Sequence, residues 1–331
     1  MNGGFRYGKD SCSHEIILEE IPYGGKRSTF FSTLPQSGLH ARVLKLSPQS
    51  WQAIVREAAA RAVGEDVGPD DVTSRLLIPP ELKATGFLVA RESCVLAGMD
   101  VAEAVFREVD GQLKWRALAQ DGERILVGQK VAEVTGSARS VLTGERCALN
   151  FLQRLSGVAT LTAEYVQQTE GTGAKILDTR KTTPGLRALE RQAVRLGGGT
   201  NHRTGLYDGI LVKENHLALV SLPYLPEILR KAGQDHPDFS IVVEADNCDL
   251  AKKLLQLPIQ RVLLDNMTLD QVGEIVAARK KLASQVQIEA SGGVTLERAR
   301  DLARAGVDWI SVGKLTHSAR SIDFSLDLIP G

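Results

Sequence analysis

From Ser240 to Ala290 the chain reads SIVVEADNCDLAKKLLQLPIQRVLLDNMTLDQVGEIVAARKKLASQVQIEA. Three brief apolar runs, SIVVEA, RVLLD and VQIEA, alternate with segments whose apolar residues recur at helical spacing, the pattern of successive βα units. Outward from this stretch the same rhythm takes in KILDT (175–179) and GILVK (209–213) on one side and WISVG (309–313) on the other. Six strands at intervals of roughly 20 to 35 residues build either a barrel or a doubly wound sheet. The residues closing the strands favour the barrel: Asp178 with Thr179, Lys213, Glu244, Asp265, Glu289 with Ser291, and Gly313. In a (β/α) barrel such positions converge on one rim, where the chemistry sits. A dinucleotide-binding fold would place G-x-G-x-x-G after its first strand, and DTRKTTPG does not match it.

Toward the N-terminus, apolar residues Leu149, Leu152, Leu155, Val158 and Leu161 put Gly144 to Gln168 on one long helix that joins the barrel to what precedes it. Residues 85–135 are short and β-rich, GFLVAR, VLAG, KWRAL, ERILVG and KVAEVTG around an Ala-rich helix at 100–108, and predict a small α+β domain. Ser47 as N-cap and Pro48 at the first helical position start a further helix, expected to stop near Gly64. Residues 1–47, rich in Gly, Ser and Pro without a sustained period, predict an irregular extension. The expected division is therefore the arm 1–47, an N-terminal domain 48–156, and a barrel domain 157–331 whose last residues can pack back on the N-terminal domain.

The 331 residues, 43% of them hydrophobic, suffice for two such cores. Forty Lys and Arg offset forty Asp and Glu. A zero formal charge provides no whole-protein field for nucleic acid or an anionic membrane, so a charged ligand must be gripped by a local cluster. Cys12, Cys94, Cys147 and Cys248 are too scattered for a zinc or redox motif, which fits a reducing cytoplasm. No apolar run approaches the ~18 residues of a membrane span. Glu15, Glu19 and Glu20 argue against a transit peptide.

The densest chemistry runs from Leu177 to His216. Arg180, Lys181, Arg187, Arg191, Arg195, Arg203 and Lys213 stand there against Asp178, Glu190, Asp208 and Glu214. Arg180, Lys181, Arg203 and Lys213 occupy strand ends and loops, where they can converge on a ligand with several negative charges; His202 beside Arg203 becomes an anion ligand or proton donor. Arg187, Arg191 and Arg195, spaced by four on one helix, read instead as a solvated face. Glu244 and Asp265 suit a Mg²⁺ ion or a sugar hydroxyl, or a structural pair with Lys213. ASGGVT (290–295) and SVGKLTHS (311–318) each precede a helix, the usual phosphate position in barrels.

Taken together, EDVGPDDVTS, GERCALNFLQRLSGVAT, DTRKTTPGLR, GGGTNHRTGLYDGILVKENH, VEAD, LLDN, EASGGV and ISVGKLTHS resemble the quinolinate phosphoribosyltransferases from about residue 48 to the end. The resemblance implies a type II phosphoribosyltransferase architecture, an α/β fold with an N-terminal open α/β sandwich and a C-terminal incomplete (β/α) barrel. It implies a homodimer whose subunits share each site, with larger oligomers also compatible. The implied reaction transfers phosphoribosyl from phosphoribosyl pyrophosphate to quinolinate with decarboxylation, in NAD biosynthesis, with Mg²⁺ as cofactor. Carried onto this sequence, Arg180, Lys181, His202, Arg203 and Lys213 meet the quinolinate carboxylates, with Arg146 reaching in from the neighbouring subunit and Thr179 joining through its backbone or hydroxyl. Glu244 and Asp265 hold ribose hydroxyls and Mg²⁺, and Ser291, Gly292, Gly293, Val312 and Gly313 form the phosphate loops. Lys181, Lys213, Glu244 and Asp265 are the expected catalytic residues.

Two positions depart from the family pattern: Asp70 stands where glycine is common, and Lys314 where a small residue is usual. The competing readings are a same-fold relative with another substrate and a non-catalytic anion-binding protein. The complete set of rim cations favours the enzyme over the first, and the retention of both carboxylates and both phosphate loops favours it over the second.

Overall fold

Ser47 starts the first helix as its sequence requires: its Oγ accepts the Ser50 amide at 3.1 Å, and Pro48 takes the first helical position of α1 (Pro48–Val67). The computed structural model describes residues 47–220 and 222–331, so the expected irregular arm, apart from Ser47, lies outside the described residues. Helix α1 does not stop near Gly64 but runs to Val67 and ends at Gly68, whose φ of +55° breaks the helix. Gly64 faces open space, and its helix cost of about 1 kcal/mol is outweighed by the buried Val55 and Ala59. A short α2 (Val72–Leu77) follows, capped by Asp71, which accepts the Ser74 amide at 2.9 Å. Asp70 has a partner of its own in Arg75, 2.7 Å away.

Then come β1 (Lys83–Ala90), β2 (Cys94–Val95), α3 (Met99–Val109), β3 (Lys114–Ala117), β4 (Arg124–Ile125) and β5 (Lys130–Ser137), the expected short α+β series. Alternation along β1 buries Ala84, Gly86 and Leu88 and leaves Phe87 outward, its ring 3.5 Å beneath the Lys130 ammonium. Helix α4 (Ala138–Gln168), about 46 Å long, packs its first half on α3, β1 and β5 and its second on the barrel.

The remaining elements are β6 (Lys175–Leu177), α5 (Arg187–Leu196), β7 (Ile210–Val212), α6 (Glu214–Leu219), α7 (Leu225–Asp235), β8 (Ile241–Ala245), α8 (Cys248–Leu254), β9 (Arg261–Asp265), α9 (Leu269–Leu282), β10 (Gln287–Ser291), α10 (Leu296–Ala305), β11 (Trp309–Ser311), α11 (Lys314–His317) and β12 (Phe324–Pro330). All of the expected barrel strands form. Their spatial order is β6-β11-β10-β9-β8-β7, every pair parallel. This is chain order read around a ring with one break, between the first strand and the second. A doubly wound sheet would reverse direction midway, so the structure is an incomplete barrel. Thr200 bridges Leu177 on the free side of β6 and begins to fill the break.

Strand β12 returns to the N-terminal layer and pairs antiparallel with β1, giving the sheet order β12-β1-β5-β3. Where α4 passes the turn before β12, Gly157 leaves room for the Arg320 carbonyl, which any Cβ at that position would overlap.

Candidate active site

Register places the first pair of site residues. Val212 of β7 lies opposite Val243 of β8, so the next residues, Lys213 and Glu244, are cross-strand neighbours, and Lys213 Nζ donates to Glu244 Oε2 at 2.7 Å. The glutamate is 7% exposed while the lysine is half exposed. Glu244 pairs with Leu263 and Asp265 with Ser291, and the two-residue period of a strand puts Glu244, Asp265, Glu289 and Ser291 on one face of the sheet. Asp265 accepts from Asn266 Nδ2 at 2.9 Å. Asn266, at φ +54°, donates its amide to the Ser291 carbonyl at 2.9 Å, locking the ends of β9 and β10 together. Gly292, at φ +96°, is required beside it, because a Cβ would collide with the Asn266 side chain.

Two cationic loops follow β6 and α5. Thr179, Arg180 and Lys181 follow β6; His202 and Arg203 follow the glycines after α5. Lys181 N donates to Thr179 Oγ1 at 3.1 Å, and Arg203 Nη1 donates to the Gly209 carbonyl at 3.1 Å. The Nε atoms of Arg180 and Arg203 are both buried without a hydrogen-bond partner. Burial and the neighbouring Arg180 charge push the Arg203 guanidinium below its ordinary value. Two like charges brought this close favour an anion beside them.

His202 is held on both sides. The Arg203 amide donates to its Nδ1 at 2.7 Å, which places the ring proton on Nε2, and Nε2 lies 3.6 Å from Glu289 Oε1. Glu289 was expected at the strand's closing end. It is instead fully buried inside the barrel, enclosed by His202, Arg261 and Ser311. Ser311 Oγ donates to it, and Arg261 Nη1 approaches its Oε2 at 2.7 Å. The Arg261 guanidinium in turn stacks 4.4 Å from the Trp309 ring centre. Burial alone would raise the Glu289 carboxyl; the approach of His202 and the Arg261 charge reverse this and hold it down at about 2.

The arginine row of α5 divides. Arg195 is exposed and donates to Gln192, as a solvated face requires. Arg191 is 6% exposed: it donates to the His202 carbonyl at 2.8 Å and the Arg203 carbonyl at 3.2 Å, and reaches Asp178 at 3.5 Å. Arg187, half-buried, donates to Thr182 Oγ1 at 3.0 Å, the Thr204 carbonyl at 3.1 Å and the Arg180 carbonyl at 3.4 Å. The solvated-face expectation is thus corrected for these two, because the loops after β6 and α5 fold over the helix. Asp178 is not on the rim either. It is fully buried, accepts the His202 amide at 2.7 Å and Asn201 Nδ2 at 2.6 Å, and burial pushes its carboxyl up. Glu190, also buried, accepts from Arg154 at 2.7 Å and from the Thr183 amide at 3.0 Å, tying the loop after β6 to α4.

At the phosphate loops, Val312 N donates to the Leu177 carbonyl at 2.9 Å, and Gly293 has φ +55°. A methyl group on Gly313 would lie 3.1 Å from His317 Nε2 and 3.2 Å from Lys181 Cδ, so both side chains flank this loop. Thr316 Oγ1 donates to the Lys181 carbonyl at 2.7 Å. His317 was missed in the sequence; its place four residues beyond Gly313 in SVGKLTHS was the available signal. Lys314 is exposed at the start of α11 and has no ion pair among the described residues. Arg146 is exposed on the first half of α4 and makes no hydrogen bond or ion pair with the rim residues of its own chain.

This geometry can be set beside known proteins. The C-terminal domain of quinolinate phosphoribosyl transferase matches residues 158–327, and the N-terminal domain matches residues 71–156. The chain belongs to the quinolinate phosphoribosyltransferase family. It is 42% identical over 276 residues to a nicotinate-nucleotide pyrophosphorylase [carboxylating] of Mycobacterium leprae, covering 82% of this chain and 96% of that one. A probable nicotinate-nucleotide pyrophosphorylase [carboxylating] of Bacillus subtilis is 38% identical, over 80% of this chain and 90% of its own length. The solved nicotinate-nucleotide pyrophosphorylase of Francisella tularensis superposes with a TM-score of 0.78 at 33% identity, covering 84% of this chain and 97% of that one. Among the described residues no group of three or more His, Cys, Asp or Glu could cage a metal ion, and no helix is long and apolar enough to cross a membrane. Glu244 and Asp265, two carboxylates on one face, have the hard oxygen donors that suit a cation such as Mg²⁺.

Proposed function

We infer that this chain is a decarboxylating quinolinate phosphoribosyltransferase, a pentosyltransferase of NAD biosynthesis. It transfers phosphoribosyl from phosphoribosyl pyrophosphate to quinolinate, and yields nicotinate mononucleotide, pyrophosphate and carbon dioxide. The observation that carries the site reading is the approach of the Arg180 and Arg203 charges to each other, two cations that suit the two carboxylates of quinolinate.

In this reading Arg180 and Arg203, with Lys181 and His202 beside them and Thr179 at the strand end, orient quinolinate so that its ring nitrogen faces the anomeric carbon of the ribose. Ser291, Gly292, Gly293, Val312 and Gly313, with His317, receive the phosphate groups; Glu244 and Asp265 take the ribose hydroxyls. Nitrogen attack breaks the bond to pyrophosphate, and cations at the rim stabilise the charge on the departing group. Glu244 and Asp265 would hold Mg²⁺, which would supply further charge neutralisation when bound. The nitrogen, now positive, stabilises the electron pair left on the neighbouring carbon as carbon dioxide leaves, and a proton replaces it. No covalent enzyme nucleophile is needed. Quinolinate, phosphoribosyl pyrophosphate and Mg²⁺ should together give nicotinate mononucleotide and carbon dioxide with the purified protein. No product from quinolinate, with nicotinate consumed instead, would overturn the reading.

The protein works as a homodimer in this proposal, with Arg146 of each copy completing the other's site. In support, Arg146 has no rim partner within its own chain, and Leu206 and Tyr207, in the loop that follows Arg203, are 74% and 66% exposed. Mixing Arg146→Ala with Lys213→Ala protein is expected to restore activity through hybrid dimers that contain one intact site. Failure to complement after demonstrated subunit exchange would exclude a shared site. A cytoplasmic location agrees with the free thiols of Cys94, Cys147 and Cys248.

A further inference from the structure

We infer that Arg187 and Arg191 are positioning residues that set the enzyme's selectivity for a vicinal dicarboxylate, by fixing the separation of Arg180 and Arg203. The inference rests on the substrate reading above and deepens it. Arg180 and Arg203 sit on different loops, one after β6 and one after α5, and no direct bond between their side chains keeps the loops together. Their like charges repel across a partly dehydrated gap, so two free loops would spread. Two carboxylates on adjacent ring carbons demand a fixed spacing. A monocarboxylate does not.

Both α5 arginines span that gap. Arg187 donates to the Arg180 carbonyl on one loop and to the Thr204 carbonyl on the other. Arg191 reaches Asp178 at the root of the first loop and the carbonyls of His202 and Arg203 on the second. Each guanidinium is therefore a staple between the two halves of the dianion receptor, and neither needs to touch the substrate. A planar fork of donors is suited to this task, whereas an ammonium on a flexible stem cannot hold two carbonyls at a set distance. Positions 187 and 191 lie one helical turn apart, so both staples rise from one face of one rigid element.

The test compares steady-state kinetics of the wild type, Arg187→Gln, Arg191→Lys and Arg195→Gln. Arg187→Gln is expected to raise KM for quinolinate about tenfold or more, equivalent to about 1.4 kcal/mol, and to leave KM for phosphoribosyl pyrophosphate within about twofold. Arg191→Lys should act in the same direction, and Arg195→Gln should change neither constant. Should Arg187→Gln fail to fold, Arg191→Lys, which keeps the charge, decides the matter. A quinolinate KM that stays within about twofold of wild type, or an equal rise in both KM values, overturns the positioning role. A wild-type protein that makes no nicotinate mononucleotide overturns instead the substrate reading beneath it.

Discussion

Lys213→Ala is expected to lower kcat/KM about 10³-fold, a loss of about 4 kcal/mol of transition-state stabilisation. Two effects combine. The variant loses a half-exposed cation that faces a polyanionic substrate pair, and it strips the nearly buried Glu244 carboxylate of its partner at 2.7 Å. A neutral ion pair then becomes a bare negative charge aimed at incoming phosphate and carboxylate. Adding Glu244→Ala should therefore cost less than the two single losses summed, because the second substitution removes the charge exposed by the first. Circular dichroism and thermal melting would establish that the variants fold. A drop of less than about tenfold in kcat/KM would show that Lys213 is outside the reaction.

Glu289→Ala is expected to cost about 3–5 kcal/mol of folding stability, read from urea midpoints. Its carboxylate lies fully buried between Arg261, the Ser311 hydroxyl and the His202 ring, so truncation leaves the Arg261 guanidinium enclosed and uncompensated. Restoring a nonpolar fit with Arg261→Met in the same chain should recover much of the loss. The pH dependence has a fixed sign. The folded-state value of about 2 lies below the ordinary 4.5, so the stabilisation is complete above about pH 4.5 and fades as pH falls toward 2. The stability gap between wild type and Glu289→Gln should narrow over that window. A gap independent of pH would mean that the ionised carboxylate is not what stabilises the fold.

The strands of the barrel were legible because continuous apolar runs such as SIVVEA and RVLLD leave little alternative, and Ser47-Pro48 marked a helix start that the structure reproduces. Barrel against doubly wound sheet is a question of strand order, which the polar strand ends pointed to and only the observed neighbour relations of β6 and β11 decide. Charge placement at Arg180, Lys181, Arg203 and Lys213 was visible as residues at strand ends and in loops. What α5 does was not. Helical periodicity shows which residues share a face, and it is silent on whether water or another loop covers that face, so Arg187 and Arg191 looked like Arg195. Glu289 illustrates a second limit. Its place at a strand end put this glutamate near the rim, and only the side chains of His202, Arg261 and Ser311, which come from distant parts of the chain, show that it is enclosed.

The pairing of β1 with β12 sets Ala84 against Pro330. On a ribosome, β1, β5 and β3 emerge early, and the edge that β12 will cover stays open until residues 324–330 have been made. The barrel, translated second, has all its strands in hand while the layer translated first still lacks one, so the N-terminal sheet of a nascent chain carries an unpaired edge throughout synthesis. Loss of residues 324–330 would leave every catalytic candidate in place and yet leave β1 an open edge.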